Sequence, residues 1–201
     1  MSAPPEKSRR EEYSEATRQA LLSAARDLFA AQGYQETSIE AVARASRVTR
    51  GALYHHFKDK RELFDAVVVA LQIEAAAAVG QRARLEKDQW ARVRAGINAY
   101  LDACLAPAFR RLVIEEAPAV LGTARCREID HAYTLGPFAK ALEQLRSDGE
   151  LDFDDTDLLS RMLGAMIWEL AILLADAKDP KKLRRQVQDA VTRVLRAFQT
   201  R

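Results

Sequence analysis

The sequence predicts an all-α protein. Apolar residues recur at steps of three and four along most of the chain, as one face of an amphipathic helix requires. No segment shows the two-residue alternation of a half-buried strand, and residues that end helices, such as Gly33, Pro107 and Gly149, separate the periodic segments. The chain has 201 residues, of which 48% are hydrophobic, so it is long and apolar enough to bury a core and does not resemble a disordered chain.

The first 60 residues predict three short helices that follow a tail. Residues 1–12 are mostly polar or charged, and we expect them to form a flexible tail. An apolar stripe predicts a first helix that ends at Gly33. The stripe consists of Leu21, Leu22, Ala25, Leu28 and Phe29. Thr37 and Glu40 have the spacing of a capping box and predict the start of a second helix, and Thr49 is placed to cap a third.

The rest of the chain predicts six longer helices. Their expected bounds are about 60–84, 88–105, 108–118, 123–148, 155–177 and 180–199. We expect the fourth of these to be interrupted at Gly136–Pro137. Residues 155–177 are apolar on nearly all sides, which predicts burial on more than one side. About nine helices are therefore expected in total, with a smaller domain at 13–60 and a larger one at 61–201.

Composition disfavours several classes of protein. No apolar run reaches the roughly 18 residues needed to span a bilayer, and the N-terminal segment lacks the apolar core of a signal peptide. We therefore expect a cytoplasmic protein with no membrane partner. Cys104 and Cys126 are too few for a disulfide framework or a zinc cluster, and we expect two reduced, buried thiols. His55 and His56 are adjacent, so on a helix they point in different directions and make a poor chelate. No metal site and no cofactor are expected.

The segment that follows the start of the second predicted helix is strongly basic. Residues 43–61 hold six basic side chains and one acid, a local net charge of +5, whereas the whole chain carries only +2. The basic residues are Arg44, Arg47, Arg50, Lys58, Lys60 and Arg61. A basic patch on an otherwise mildly acidic chain is the electrostatic footprint expected for an anionic partner.

The three short helices, with a tight turn between the second and third, fit a helix-turn-helix, whose third helix lies in the major groove of DNA. Arg50 can bond the O6 and N7 acceptors of guanine, and the Ala52 methyl can touch a thymine methyl. Gly51 leaves room for a close approach of the backbone. The residues placed along the phosphate walls are Tyr54, His55, His56 and Lys60. Alternatively, both histidines, like Arg44 and Arg47, are solvated side chains without a role.

The segment TSIEAVARASRVTRGALYHHFKDKRELFDAVV, residues 37–68, resembles the DNA-binding half of TetR-type transcriptional repressors. Four features occur in the family's order: a Thr-x-x-Glu helix start, a Val-Thr-x-Gly turn, a Leu-Tyr-x-His-Phe core and a following Lys-x-x-Leu. The match is specific because several separately motivated features keep register across the whole segment. The all-helical layout of the chain is similar to that of the family as well.

The resemblance implies a role for each position of this segment. Phosphate contacts are implied for Thr37, Thr49, Tyr54, His56 and Lys60. Contacts with bases or the nearby backbone are implied for Arg44, Arg50, Gly51, Ala52 and His55. Core positions are implied for Val48, Leu53 and Phe57. Arg47 departs from the family, which carries glycine at this turn. If the residue is left-handed, arginine costs on the order of 1 kcal/mol, and a phosphate contact from its side chain can offset that cost.

The larger domain is expected to hold a ligand cavity and a dimer interface, as the resemblance implies. A physical argument points the same way, because a helix that is apolar on most sides needs two burial partners, and one can be a second copy of the chain. The expected dimer residues are Leu159, Leu163, Leu170, Val187, Val191, Val194 and Phe198. The candidate ligand-binding residues are Tyr100, Cys104, Phe109, Val113, Tyr133, Phe138, Met162, Met166, Trp168 and Glu169. The alternatives are a monomer with residues 155–177 at its centre, core rather than cavity roles for the apolar candidates, and an ion pair from Glu169 across the dimer.

Together these features predict a DNA-binding transcriptional regulator. The expected form is a repressor that binds a palindromic double-stranded DNA operator as a homodimer and is released by a small-molecule effector. Residues 13–60 would be the helix-turn-helix DNA-binding domain, and 61–201 the ligand-binding and dimerisation domain. An activator of the same fold would make the same contacts, and a helical adaptor that binds only protein would not need the basic patch. An enzyme is not expected, because the sequence lacks a nucleophile motif, metal-ligand spacing and a glycine-rich phosphate loop.

Overall fold

A computed structural model describes residues 9–200 of the chain, and in this range the protein forms nine helices and no strand. The helices are α1 (Arg9–Glu36), α2 (Ile39–Ala45), α3 (Arg50–His56), α4 (Lys60–Ala83), α5 (Gln89–Cys104), α6 (107–121), α7 (123–147), α8 (Thr156–Ala175) and α9 (Pro180–Arg196). One antiparallel bridge between Leu151 and Gln199 ties the α7–α8 connection to the end of α9. The predicted all-α class is confirmed.

Helix α1 starts earlier than the sequence suggested. The tail was expected to cover residues 1–12, but residues 9–12 are helical, while 1–8 lie outside the described residues. Glu11 and Glu12 lie in the first turn, where negative charge interacts favourably with the helix dipole. The helical conformation breaks at Gly33, as expected, with φ 88° and ψ 168°. A residue with a Cβ would be strained in this conformation.

Helix α2 is capped one residue later than expected. Ser38 is the N-cap, and its side chain accepts a hydrogen bond from the Ala41 N–H at 3.1 Å. Thr37 is instead 1% exposed, and its hydroxyl donates to the Gly33 carbonyl at 2.7 Å. The two hydroxyl residues are adjacent, and Thr37 bonds the Gly33 carbonyl while Ser38 caps α2.

Helices α6 and α7 each contain a wider π-helical segment, Arg110–Glu116 and His131–Leu135. The expected interruption at Gly136–Pro137 is therefore wrong. The chain stays helical there because the Gly136 N–H donates to the His131 carbonyl, five residues earlier, and the wider turn makes room for the Pro137 ring. A Cβ at position 136 would lie 2.6 Å from the His131 oxygen, so this turn requires glycine.

One continuous apolar core runs from α1 to α9. At its N-terminal end the rings of Phe29, Tyr34 and Phe64 pack together with centroids 5.1–5.9 Å apart. Leu53 and Phe57 of the α3 region are buried in the same core, and Val48 is partly buried against it, as the resemblance implied. The short helices are thus held to α1 and α4 by aromatic and aliphatic packing.

The two cysteines are free thiols. Cys104 is buried, as expected, whereas Cys126 is only partly buried. Burial raises the pKa of the Cys104 thiol to about 12, which keeps it uncharged at neutral pH.

Helix α4 also passes a length-and-composition test for a membrane span. It has 24 residues and contains a window with a mean hydropathy of 1.8, of which 39% is buried inside the protein. The helix nevertheless contains no uninterrupted apolar run of 18 residues, because Asp65, Gln72 and Glu74 lie within it. The first half of the helix packs against the rest of the protein, because Leu63, Phe64 and Val67 are buried in the core.

Candidate nucleic-acid interface and internal cavity

Helix α3 lies on the surface with one side anchored in the core. Leu53 and Phe57 point inward, and the opposite side carries the residues proposed to meet DNA. The exposed members of that set are Arg44, Arg47, Thr49, Arg50, Gly51, Tyr54 and His55, and the half-buried ones are Ala52, His56 and Lys60. Thr37 does not belong to this surface, because it is buried and its hydroxyl is already hydrogen-bonded. The sequence thus assigned one residue too many to the interface.

The turn between α2 and α3 is a Schellman motif. The Arg47 N–H donates to the Arg44 carbonyl at 3.1 Å, and the Val48 N–H donates to the Ala43 carbonyl at 3.0 Å. Arg47 occupies the left-handed position with φ 57°, and it is the one residue other than glycine with positive φ in the range 9–200. Thr49 then caps α3, as expected, by accepting from the Ala52 N–H at 3.2 Å.

Arg50 is held at the start of α3 by two contacts. Its guanidinium lies 3.1 Å from Glu40 Oε1 and 5.5 Å above the Tyr54 ring. A hydrogen bond with Tyr54 and the nearby Glu40 carboxylate raise the pKa of Arg50, so it stays fully charged. Because both partners are exposed, these contacts add little stability, but they keep the guanidinium beside the end of α3 that would meet base edges.

Lys60 and His56 are less accessible than the sequence suggested. Lys60 Nζ donates to the carbonyls of Tyr34 and Gln35 at 3.0 and 3.2 Å and lies 4.4 Å from the Tyr34 ring centroid. Two of its three donor positions are thus used to close the end of α1, and one remains for a phosphate. His56 is half-buried beside the Phe57 ring.

A cavity of about 1170 Å³ lies between α4, α5, α7 and α8. Four of the ten predicted ligand residues line it: Tyr100, Tyr133, Phe138 and Trp168. Cys104, Phe109 and Val113 are buried in the core outside it, with the Phe109 ring edge-on to Tyr100 at 6.2 Å.

The three predicted residues on α8 do not line the cavity either. Met162 and Glu169 are exposed, and Met166 is half-buried. The side of α8 that does line it carries Arg161, Gly164, Ala165 and Trp168, which are spaced three and four residues apart. The prediction placed residues from two sides of one helix in the same site.

A polar group on the cavity wall was missed by the sequence analysis. Asp130 lines the cavity and accepts a hydrogen bond from Gln72 Nε2 at 2.9 Å, while Thr134 Oγ1 donates to Gln72 Oε1 at 3.3 Å. Burial raises the pKa of Asp130 to about 6, against the smaller effect of the Gln72 hydrogen bond. Tyr100 completes the group through hydrogen bonds with Thr134 and Cys104. The available signal was Gln72, a lone amide in the apolar run VVVALQIEAAAA.

The dimer residues inferred from sequence are mostly internal. Leu159, Leu163, Val187 and Val191 are buried within a single chain, so they are not available to a partner. Leu170, Val194 and Phe198 are half-buried against the core. The exposed apolar side chains of α8 are instead Leu158, Met162 and Leu173, which are 47%, 50% and 50% exposed. We call these three residues, with the exposed Glu169, the outer face of α8.

The end of α1 is attached to α6 by a charged pair. Arg111 Nη1 donates to the carbonyls of Ala30 and Ala31, each at 2.9 Å. Glu116 accepts from Arg111 Nε at 3.0 Å and from the Tyr34 N–H at 2.7 Å. These bonds flank the break at Gly33, so α1 and α6 share a polar joint as well as a core.

Comparison with known proteins matches both halves of the chain. The family model described as "Tetracyclin repressor-like, C-terminal domain" matches residues 90–198, and the model described as "Bacterial regulatory proteins, tetR family" matches residues 21–67. The transposon Tn10 TetC protein of Escherichia coli is 28% identical over 173 residues, which cover 86% of this chain and 87% of that protein.

Two further similarities cover different parts of the chain. The HTH-type transcriptional regulator AcrR of Shigella flexneri is 51% identical over 51 residues, but these cover only 25% of this chain and 24% of AcrR. The crystal structure of a TetR-family transcriptional regulator from Pectobacterium atrosepticum superposes with a TM-score of 0.77 at 29% identity, covering 97% of this chain and 99% of that one.

Proposed function

Given that the chain belongs to the TetR family of DNA-binding transcriptional regulators, we propose that it is a repressor that binds a near-palindromic operator as a homodimer and leaves it when a small molecule fills the cavity. The observation that carries the proposal is the placement of α3. Its inner side is fixed by Leu53 and Phe57, while Arg50 and Tyr54 are exposed on the other side. A rigid, cationic helix on the surface is what major-groove docking requires.

The exposed residues around α3 would divide their tasks by position. Arg50, at the first turn, reads guanine, and Gly51 and Ala52 let the backbone come close to the bases. Tyr54 and Thr49 contact phosphates, and the remaining donor of Lys60 adds a further phosphate contact. Arg44, Arg47, His55 and His56 lie around this centre, where they add affinity through charge or hydrogen bonds.

A dimer would present two copies of α3 to successive major grooves. The outer face of α8 supplies the exposed apolar surface for it, and α8 with α9 would pair with the partner's copies as a four-helix bundle. Two half-sites about 34–36 Å apart would then lie on one side of the duplex.

The cavity would act through a difference in affinity. A ligand that binds one spacing of the two α3 helices more tightly than the other shifts the population between them, and a shift from 1:99 to 99:1 takes about 5.5 kcal/mol of differential affinity. No catalytic step is part of this proposal, and the protein would act in the cytoplasm, where its operator DNA lies.

A quantitative mobility-shift assay with DNA from upstream of the chain's own gene tests the proposal. We expect one retarded complex with two protomers and a preference for specific over random DNA of at least about a thousandfold. Equal affinity for random DNA at moderate salt would contradict it. A reporter driven by the bound promoter should rise when the gene for this chain is deleted, and a fall would identify an activator.

A further inference from the structure

One wall of the cavity carries a carboxylate in a fixed orientation. Asp130 Oδ1 accepts from Gln72 Nε2 at 2.9 Å, and Asp130 faces the cavity from α7. Gln72 is 1% exposed, and its Oε1 accepts from Thr134. Because both ends of the buried amide are engaged, Gln72 cannot turn away, and it holds the carboxylate toward the open space.

Among the side chains that the structure describes, this carboxylate has no positive partner. Three arginines also line the cavity, but all are exposed and thus lie toward its rim. Arg161 pairs with Asp157 at 2.8 Å, Arg92 donates to the Glu86 carbonyl at 2.9 Å, and Arg127 forms no ion pair with Asp130. A charge in an apolar wall is costly unless it is paired, so Asp130 is a site that a ligand's charge would complete.

The remaining walls suit an apolar, aromatic body. Tyr133, Phe138 and Trp168 line the cavity together with aliphatic side chains such as Ile97 and Ile167. Its volume of about 1170 Å³ is somewhat larger than the roughly 300–1,000 Å³ typical of small-molecule sites. Aromatic faces also attract positive charge, so these walls are compatible with the same ligand charge as Asp130.

We propose that the cavity binds a hydrophobic cation, whose positive charge is recognised by Asp130 and whose apolar body packs against Tyr133, Phe138 and Trp168. The cation supplies the counter-charge that none of the described side chains provides, and the low dielectric of the cavity strengthens the pair. This inference rests on the function proposed above, since it gives the effector a chemical class.

The affinity for such a cation should depend on pH through Asp130. The other titratable groups facing it are Tyr100 and Cys104 of α5 and Cys126 of its own helix, and burial raises the pKa of each, so they stay neutral below pH 8. The three rim arginines also line the cavity. His131 follows Asp130 in the chain but is exposed and does not line the cavity. Because cation binding needs the ionised carboxylate, affinity should fall about tenfold between pH 7 and pH 5.

Tetraphenylphosphonium and tetraphenylborate test the inference, because they are similar in size and shape and opposite in charge. Binding to the full chain in the absence of DNA can be followed by quenching of Trp168 fluorescence and by calorimetry. The Trp168→Phe variant isolates the signal of the second tryptophan, Trp90, which is buried outside the cavity lining. The matched variants are Asp130→Asn in the cavity and Glu169→Gln on the outer face of α8.

At pH 7.5 the wild-type chain should bind tetraphenylphosphonium at least about tenfold more tightly than tetraphenylborate. Asp130→Asn should lower the affinity for the cation at least about tenfold, remove its pH dependence and leave the affinity for the anion unreduced. Glu169→Gln should change neither affinity, and His131→Gln should retain the pH dependence. Thermal melting of Asp130→Asn establishes that any loss occurs in a folded protein.

Tighter binding of tetraphenylborate by the wild-type chain would overturn the inference and assign the cavity to anions held by the rim arginines. An unchanged cation affinity in folded Asp130→Asn would overturn it as well. The mobility-shift assay on ligand-free protein is independent of both results. If operator binding is found and cation binding is not, only this inference fails, whereas cation binding without operator binding would leave the cavity assignment intact and contradict the proposed repressor.

Discussion

Arg47 occupies a turn position whose backbone conformation is unfavourable for a residue with a side chain. The Schellman motif at the end of α2 needs a left-handed residue, and Arg47 adopts φ 57° where glycine would meet no steric cost. Its side chain is exposed beside α3, within the basic segment 43–61. Variants at residue 47 can therefore show separately how the arginine affects the stability of the protein and its affinity for DNA.

Replacing Arg47 by glycine should raise the free energy of unfolding by about 0.5–1 kcal/mol, because the left-handed strain is removed. Urea denaturation measures the change. Arg47→Ala serves as the control, since it keeps the strain and removes only the charge. If the arginine contacts a phosphate, both variants should weaken DNA binding equally. A loss of stability in Arg47→Gly would show that the side chain stabilises the turn.

Arg50 and Tyr54 should differ in what their loss does to DNA recognition. Arg50→Ala should reduce discrimination at one base pair by about 1–3 kcal/mol, because a bidentate contact with guanine is lost. Tyr54→Ala should weaken all DNA sequences by a similar factor. Mobility-shift titrations with the operator and its single-base variants measure both effects. The reverse pattern would show that the two roles had been exchanged.

Asp130 should make stability depend on pH. Its pKa is raised to about 6 in the folded chain, so the folded state holds the proton more tightly than the unfolded state. The favourable contribution is complete below about pH 4 and is lost as pH rises through about 6. Asp130→Asn should therefore raise the free energy of unfolding by on the order of 1–3 kcal/mol at pH 7.5, and by little at pH 4. Denaturation at the two pH values checks this, and an equal gain at both would contradict the electrostatic cause.

Among the elements, helix boundaries followed the sequence closely wherever a cap or a break was local. Gly33 and Thr49 act as predicted, because their effects depend on neighbours a few residues away. Gly136–Pro137 did not break α7, because the preceding π-helical segment absorbs the proline. Nothing in the residue pattern distinguishes that wider turn from a break, since both leave the same hydrogen bond unmade.

The joint between α1 and α6 should stabilise the chain through Glu116. Glu116→Ala removes the acceptor of the Tyr34 N–H and the partner of Arg111, and it should lower the free energy of unfolding by about 1–3 kcal/mol. Glu115→Ala is the matched control, because Glu115 is exposed and its pair with Arg110 should contribute less than about 1 kcal/mol. Similar losses in the two variants, measured by urea denaturation, would argue against a structural role for the joint.

For the complete chain, the sequence predicted the class of fold and the surface of α3. It did not predict which sides of the larger helices face the core, the cavity or the solvent. Helix α8 is apolar nearly all round, so its sequence alone could not separate Leu163, which is internal, from Met162, which is exposed. The cavity was equally hidden, because Trp168 and Met166 lie two residues apart and only packing determines which of them meets empty space. The local spacing of apolar residues does not show which side of a helix a distant segment will bury.

The outer face of α8 should control assembly. Leu173→Glu places a charge in the proposed contact and should convert a dimer to a monomer, with a loss of operator affinity of at least about a hundredfold. Light scattering and mobility-shift titration measure the two effects. Ile73→Glu is the control, because Ile73 is 47% exposed on α4 and should leave the dimer intact. A dimeric Leu173→Glu variant would place the interface elsewhere.

Because α4 is long, a small rotation of this helix would be enough to move α3 relative to the DNA. The helix starts four residues after the end of α3 and lines the cavity near its far end, at Ala76 and Gly80. Twenty-four residues make a lever of about 36 Å. A swing of about 5° around the cavity end displaces the other end by about 3 Å, which is the length of a hydrogen bond. If α3 docks in the major groove as proposed, a change of angle of this size would be large enough to separate Arg50 from its base pair.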